Sequence, residues 1–160
     1  MGIIFSGPCS LRESCLPRKT DSHNPADWLW IAEAELQGIQ QLANQAVSFA
    51  MCKSKLAEVV EKIMKAELIR TGWILEKTHD LERLLGLLAV RNNDLADHFE
   101  PLCDSLAEVY FSGRYPGFDF EDPNWPSLQT QISTADELLS LVKRRVTSST
   151  AMPGTNETGA

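Results

Sequence analysis

The sequence predicts an all-α fold, an up-and-down antiparallel bundle of four to five helices. Three observations carry that expectation. Two long stretches place apolar residues at steps of three and four, the spacing that gives a helix one apolar face. The periodic stretches are separated by short polar or glycine- and proline-containing links, which join antiparallel neighbours. No stretch alternates apolar and polar residues as a half-buried strand does, and no internal repeat is present.

The elements follow in chain order. Residues 1–24 have no periodicity and contain Gly7, Pro8 and Pro17, so they read as a loosely packed or disordered arm. Asn24-Pro25 then opens a helix: Asn24 suits the N-cap, Pro25 the first helical position, and Asp27 the positive end. Its stripe is Trp28, Ala32, Leu36, Ile39, Ala43 and Ala46. No strong breaker follows, so a short turn near Asn44 is expected before Phe49. The next helix is the clearest in the chain, with Phe49, Cys52, Leu56, Val59 and Ile63 on one face and Val60 and Met64 widening it. Glu58 with Lys62 and Glu61 with Lys65 stand in the favourable acid-before-base order. It is read as the central helix, and Gly72 suits its C-terminal cap.

Trp73-Ile74-Leu75 leads to a third helix, capped by Thr78 or Asp80, with Leu81, Leu84, Leu85 and Leu88 inward. Arg91-Asn92-Asn93-Asp94 is a polar turn. The fourth helix points Leu102, Cys103, Leu106, Val109 and Tyr110 inward and ends at Gly113 and Pro116. Pro101 fits only its first turn or a kink. An aromatic loop with Phe118, Phe120 and Trp125 follows; it either seals the end of the core or stacks bases. The last helix carries Leu128, Ile132, Ala135, Leu139, Val142 and Val146. The bundle is therefore expected over residues 25–146, with 147–160 a disordered Ser/Thr/Gly tail.

Bulk properties narrow the function classes. A chain of 160 residues is long enough for one domain that buries about 70% of its unfolded surface without a metal or disulfide staple. The net charge of −7 argues against nucleic-acid binding by bulk attraction. Lys143-Arg144-Arg145 is the best local basic run, and it also complements the dipole at a helix C-terminus. The four cysteines, Cys9, Cys15, Cys52 and Cys103, show no C-x-x-C spacing. They read as free thiols of a reducing, cytoplasmic compartment. They do not form a zinc set, and Glu76-Lys77-Thr78-His79 lacks the second copy that a di-iron bundle requires. No metal and no cofactor are expected. No run of about 18 apolar residues exists to span a membrane.

Three pieces of sequence carry a resemblance. Glu61-Lys62-Ile63-Met64-Lys65-Ala66-Glu67-Leu68-Ile69, Thr78-His79-Asp80-Leu81 and Arg114-Tyr115-Pro116-Gly117 occur in order. Over residues 26–145 the chain resembles HEPN domains, in their Arg-Tyr-Pro-containing branch. The resemblance implies the same helical bundle and a nucleotide- or RNA-binding module. It also implies a homodimer working with a nucleotidyltransferase partner in a toxin–antitoxin-like system. Its candidate binding residues are Lys65, His79, Arg114 and Tyr115.

Each of these has a plain structural reading beside the functional one. Lys65 pairs with Glu61. His79 caps or packs at a helix start, where exposed N–H groups also favour anions. Tyr115 anchors a turn, while Arg114 either meets a carboxylate or faces a phosphate.

Active HEPN ribonucleases carry an arginine followed, after four to six residues, by a histidine. Arg91 and His98, with six residues between them and Asn92 after the arginine, fit that pattern. His98 would act as general acid or base on a ribose hydroxyl, and Arg91 would stabilise phosphoryl charge. The bland alternative is a capping arginine and a solvent-facing histidine. Two other classes therefore stand beside the binding module: a metal-independent endoribonuclease using Arg91 and His98, and a protein–protein interaction bundle with no nucleotide ligand.

Overall fold

The structure, a computed structural model, describes residues 18–107, 109, 116 and 122–150. Among them are five helices and no strand: α1 (Pro25–Asn44), α2 (Phe49–Arg70), α3 (Leu81–Val90), α4 (Ala96–Leu106) and α5 (Trp125–Thr150). The all-α bundle is as the sequence predicts. α2 packs against all four others, and α1 also packs against α5.

Local chemistry sets the boundaries. Asn24 Oδ1 accepts from the Ala26 N–H at 3.0 Å, which caps α1. The α1–α2 turn contains no glycine: Ala46 (φ 52°) and Ser48 (φ 57°) take left-handed conformations, and the Val47 N–H reaches back to the Leu42 carbonyl. α2 closes with Gly72 at φ 89°, where the Trp73 N–H bonds the Leu68 carbonyl and the Gly72 N–H that of Ile69. That is a Schellman closure on the glycine the sequence marked. Of the two caps offered for α3, Asp80 serves, its Oδ1 accepting from the Arg83 N–H at 3.1 Å.

The core joins all five helices. Leu56, Val59, Ile63 and Met64 of α2 are fully buried, as are Leu84 and Leu88 of α3 and Phe99 of α4. Every apolar position predicted for the last helix is buried. Trp125 meets the Phe49 ring edge-on at 5.2 Å, so this member of the aromatic loop seals the core end. Phe118 and Phe120 lie outside the described residues, as does Tyr110.

Three expectations need correction. α2 buries Glu61, Lys65 and Glu67 as well as its apolar stripe, because it has neighbours on several sides rather than one. Pro101 lies inside α4, beyond the first turn. It is exposed there, so water can meet the carbonyl that its missing N–H leaves without a helix donor. α5 runs past Val146 to Thr150, into the segment expected to be tail. The hydroxyls of Thr147, Ser148 and Thr150 donate back to the carbonyls of Lys143, Arg144 and Val146, so these polar side chains are bonded within the helix itself.

The described part of the N-terminal arm is tied down. Arg18 pairs with Asp27 at 2.7 Å and lies over the Trp30 ring. The Asp21 N–H donates to Asp27, and the Trp28 indole N–H to the Ser22 carbonyl at 2.8 Å. The backbone donor of Asp21 and then Arg18 hold the Asp27 carboxyl below its usual value.

Candidate functional site

Two of the predicted binding residues converge. Lys65, on the central helix, puts its Nζ 2.6 Å from Glu61 Oε1. One turn of helix separates the two, and both are almost wholly buried, at 3% and 6% exposure. His79 arrives from the link before α3 and sets its Nδ1 3.2 Å from both Glu61 oxygens. Its side chain is 64% exposed. The Trp28 ring lies on the other side, with its centroid 5.1 Å from Lys65 Nζ. A buried ion pair is thus roofed by an indole and opens to solvent through an imidazole. Lys65 and His79 thus meet on the one Glu61 carboxylate. An aromatic face and cationic groups are the chemistry that takes a base and a phosphate. His79 lies in the link that leads into the α3 N-terminus, with its ring on Glu61.

Arg91 and His98 stand at the two ends of one turn. Arg91 is the C-cap of α3, and His98 lies in the first turn of α4, so the helix is broken between them as the asparagines predict. Both are exposed. Asn92 sits at φ 51°, with the Asn93 N–H bonding Leu88 and the Asn92 N–H bonding Ala89, so an asparagine takes the place of a cap glycine. His98 Nδ1 is 3.2 Å from the Asp94 carbonyl. A carbonyl only accepts, so Nδ1 is the donor in this contact and Nε2 takes no part in it. Arg114 and Tyr115 lie outside the described residues.

Beneath that turn is a cluster that the sequence reading missed. Glu67 is fully buried at 0% exposure. Arg70 grips it with both arms, Nε and one terminal nitrogen each at 2.7 Å from a carboxylate oxygen. Asn93 Nδ2 and Arg145 each donate to the same carboxylate at 2.9 Å. Arg145 also holds Asp94 across two bonds, the shorter 2.6 Å. Burial alone would push the Glu67 carboxyl up, but the Arg70 fork, Asn93 and Arg145 outweigh it and hold it below its usual value. Arg145 therefore ties α5 to the α3–α4 turn, and the basic run is not a uniform patch: Lys143 pairs with Glu33 at 2.8 Å. One signal in the sequence marks Glu67. It continues the Leu56, Val60, Ile63 stripe by a further step of four, so a carboxylate sits where an apolar residue is due.

The described thiols are not reactive. Cys52 and Cys103 are free and buried, and burial pushes Cys103 up to about 12. Among the described residues no group of acidic, histidine or cysteine side chains is placed to hold a metal ion. No helix among them is long and apolar enough to cross a membrane.

No curated protein and no solved structure matches the chain. A family model described as HEPN domain matches residues 25–145, which takes in α1 to α4 whole and α5 as far as Arg145. With most of its length matched and the expected bundle formed around the Glu61–Lys65 helix, the chain belongs to the HEPN domain family.

Proposed function

We propose that this protein is a nucleotide- or RNA-binding module, acting as a homodimer in the cytoplasm beside a nucleotidyltransferase in a toxin–antitoxin-like system. Family membership supports the nucleotide- or RNA-related kind of module. The observation that carries the reading is the convergence of Lys65 and His79 on Glu61, with the His79 ring at the opening. In this reading His79 and the Trp28 face receive the ligand. Lys65 backs them, and Arg114 and Tyr115 are added on the family motif alone.

The test uses ATP and a short single-stranded RNA as probes, titrated against the full chain. Arg114→Ala and His79→Ala are each expected to weaken binding about tenfold, about 1.4 kcal/mol. RNA binding is expected to weaken further as salt rises. If neither probe binds the wild type, or if both variants bind as the wild type does, the reading falls and an interaction bundle replaces it.

One observation favours a second reading, the metal-independent endoribonuclease. The Asp94 carbonyl engages Nδ1 of the His98 ring and leaves Nε2 for a reacting group, on the same turn that carries Arg91. RNA cleavage in EDTA is then expected, falling about a hundredfold or more in His98→Ala. No cleavage, or cleavage unchanged by that substitution, removes it.

A further inference from the structure

The exposed face of α5 has a symmetric charge pattern. Ser140 is at its centre. Three positions before it is Glu137, and three after it Lys143; four before it is Asp136, and four after it Arg144. All five are exposed, and steps of three and four keep them on one side of the helix. Among the described residues Asp136, Glu137 and Arg144 make no ion pair, while Lys143 holds Glu33 of α1. The same face borders an open groove of ≈ 460 Å³ between α1 and α5, walled by Glu33, Asp136, Ser140, Lys143, Arg144 and Ser148. The opposite side of α5 is spent on the core through Leu128, Ile132, Ala135, Leu139, Val142 and Val146.

We infer that this face docks on the same face of a second copy, with the two α5 helices antiparallel across a two-fold axis at Ser140. A two-fold contact needs a surface complementary to itself. An antiparallel pairing about Ser140 lays the acidic half of each helix on the basic half of the other. Asp136 and Glu137 of one copy then meet Lys143 and Arg144 of the second, and the reverse. A parallel or shifted pairing sets like charges together, so the charges also fix direction and register. Ser140 at the crossing is small enough to let the backbones approach. Arg144, which has no ion-pair partner among the described residues, carries most of the attraction. Lys143 carries less, because Glu33 already neutralises it in part.

This seam deepens the dimer part of the proposed function and stands apart from its ligand part. The test is a charge exchange read by light-scattering mass and sedimentation equilibrium on the full chain. One variant carries Asp136→Lys and Glu137→Lys; the other carries Lys143→Glu and Arg144→Glu. Circular dichroism checks that each retains its helix. The wild type is expected at twice the chain mass, each variant alone at the monomer mass, and an equimolar mixture of the two at the dimer mass again. That return cannot come from damaged folding, because the mixture contains only the altered chains. A wild-type dimer that persists in both variants overturns the seam and leaves the dimer standing. A wild type that is monomeric at high micromolar concentration overturns both. A mixture that stays monomeric overturns the seam.

Discussion

Glu67→Ala is expected to destabilise the bundle by about 3 kcal/mol, at the lower end of what removing one member of a buried ion pair costs. The lower end applies because the two guanidiniums left behind are each about a quarter exposed and can turn partly to water. With urea slopes of about 1–3 kcal/mol/M for small proteins, the midpoint falls by roughly 1–3 M. Arg145→Ala is expected to do less, because Arg70 and Asn93 still hold the carboxylate. The pH dependence has a definite direction. Arg70, Asn93 and Arg145 hold the carboxyl below its usual value of 4.5, so its stabilising effect is complete above that pH. It is lost as pH falls through the lower, folded-state value, where the native carboxylate must take up a proton. Glu67→Gln removes that proton uptake, so its unfolding free energy is expected to vary less between about pH 5 and pH 2 than that of the wild type. Equal slopes in urea melts across that range would show that the cluster is not what acid disrupts.

How much of this was legible depends on what each residue needs from its surroundings. Helix caps are local. Asn24, Gly72 and Asp80 act on backbone groups a few residues away, and the chain marks Asn24 and Gly72 outright and Asp80 as one of two candidates. The α5 stripe was readable for a similar reason, since one helix face against one core gives a regular pattern. The α1–α2 turn was placed only approximately. Ala46 and Ser48 hold left-handed conformations for which their side chains give no warning, and the Val47 N–H bond to the Leu42 carbonyl closes the turn between them. Glu67 was passed over because its partners come from Asn93 and Arg145, far along the chain. The stripe flags the position, but only a fold that brings α3, α4 and α5 around α2 shows what holds the carboxylate there. Lys65 with Glu61 falls between these cases. The spacing announced the pair, but not its burial, and not that His79 would close the same carboxylate from outside.

Burial makes the Glu61–Lys65 pair the second strong test. Lys65→Met is expected to cost about 3 kcal/mol, because it leaves the Glu61 carboxylate in the interior with the exposed His79 ring as its remaining described partner. Glu61→Leu is expected to cost a similar amount by stranding the ammonium, whose only other described neighbour is the Trp28 face. The double variant Glu61→Leu with Lys65→Met fills the same space with apolar atoms and strands neither charge. It is expected within about 1 kcal/mol of the wild type, so the two single losses should fail to add by about 5 kcal/mol in a denaturant double-mutant cycle. Losses that simply add would mean that the two charges do not depend on each other. The folded double variant then separates structure from function. If the pair exists only to hold α2, ATP and RNA bind the double variant as they bind the wild type. If it exists to set His79 and the charge at the opening, binding is lost while the unfolding curve stays where it was. Because a neutral apolar pair could hold the helix as well, loss of binding without loss of stability would give the buried charges their purpose.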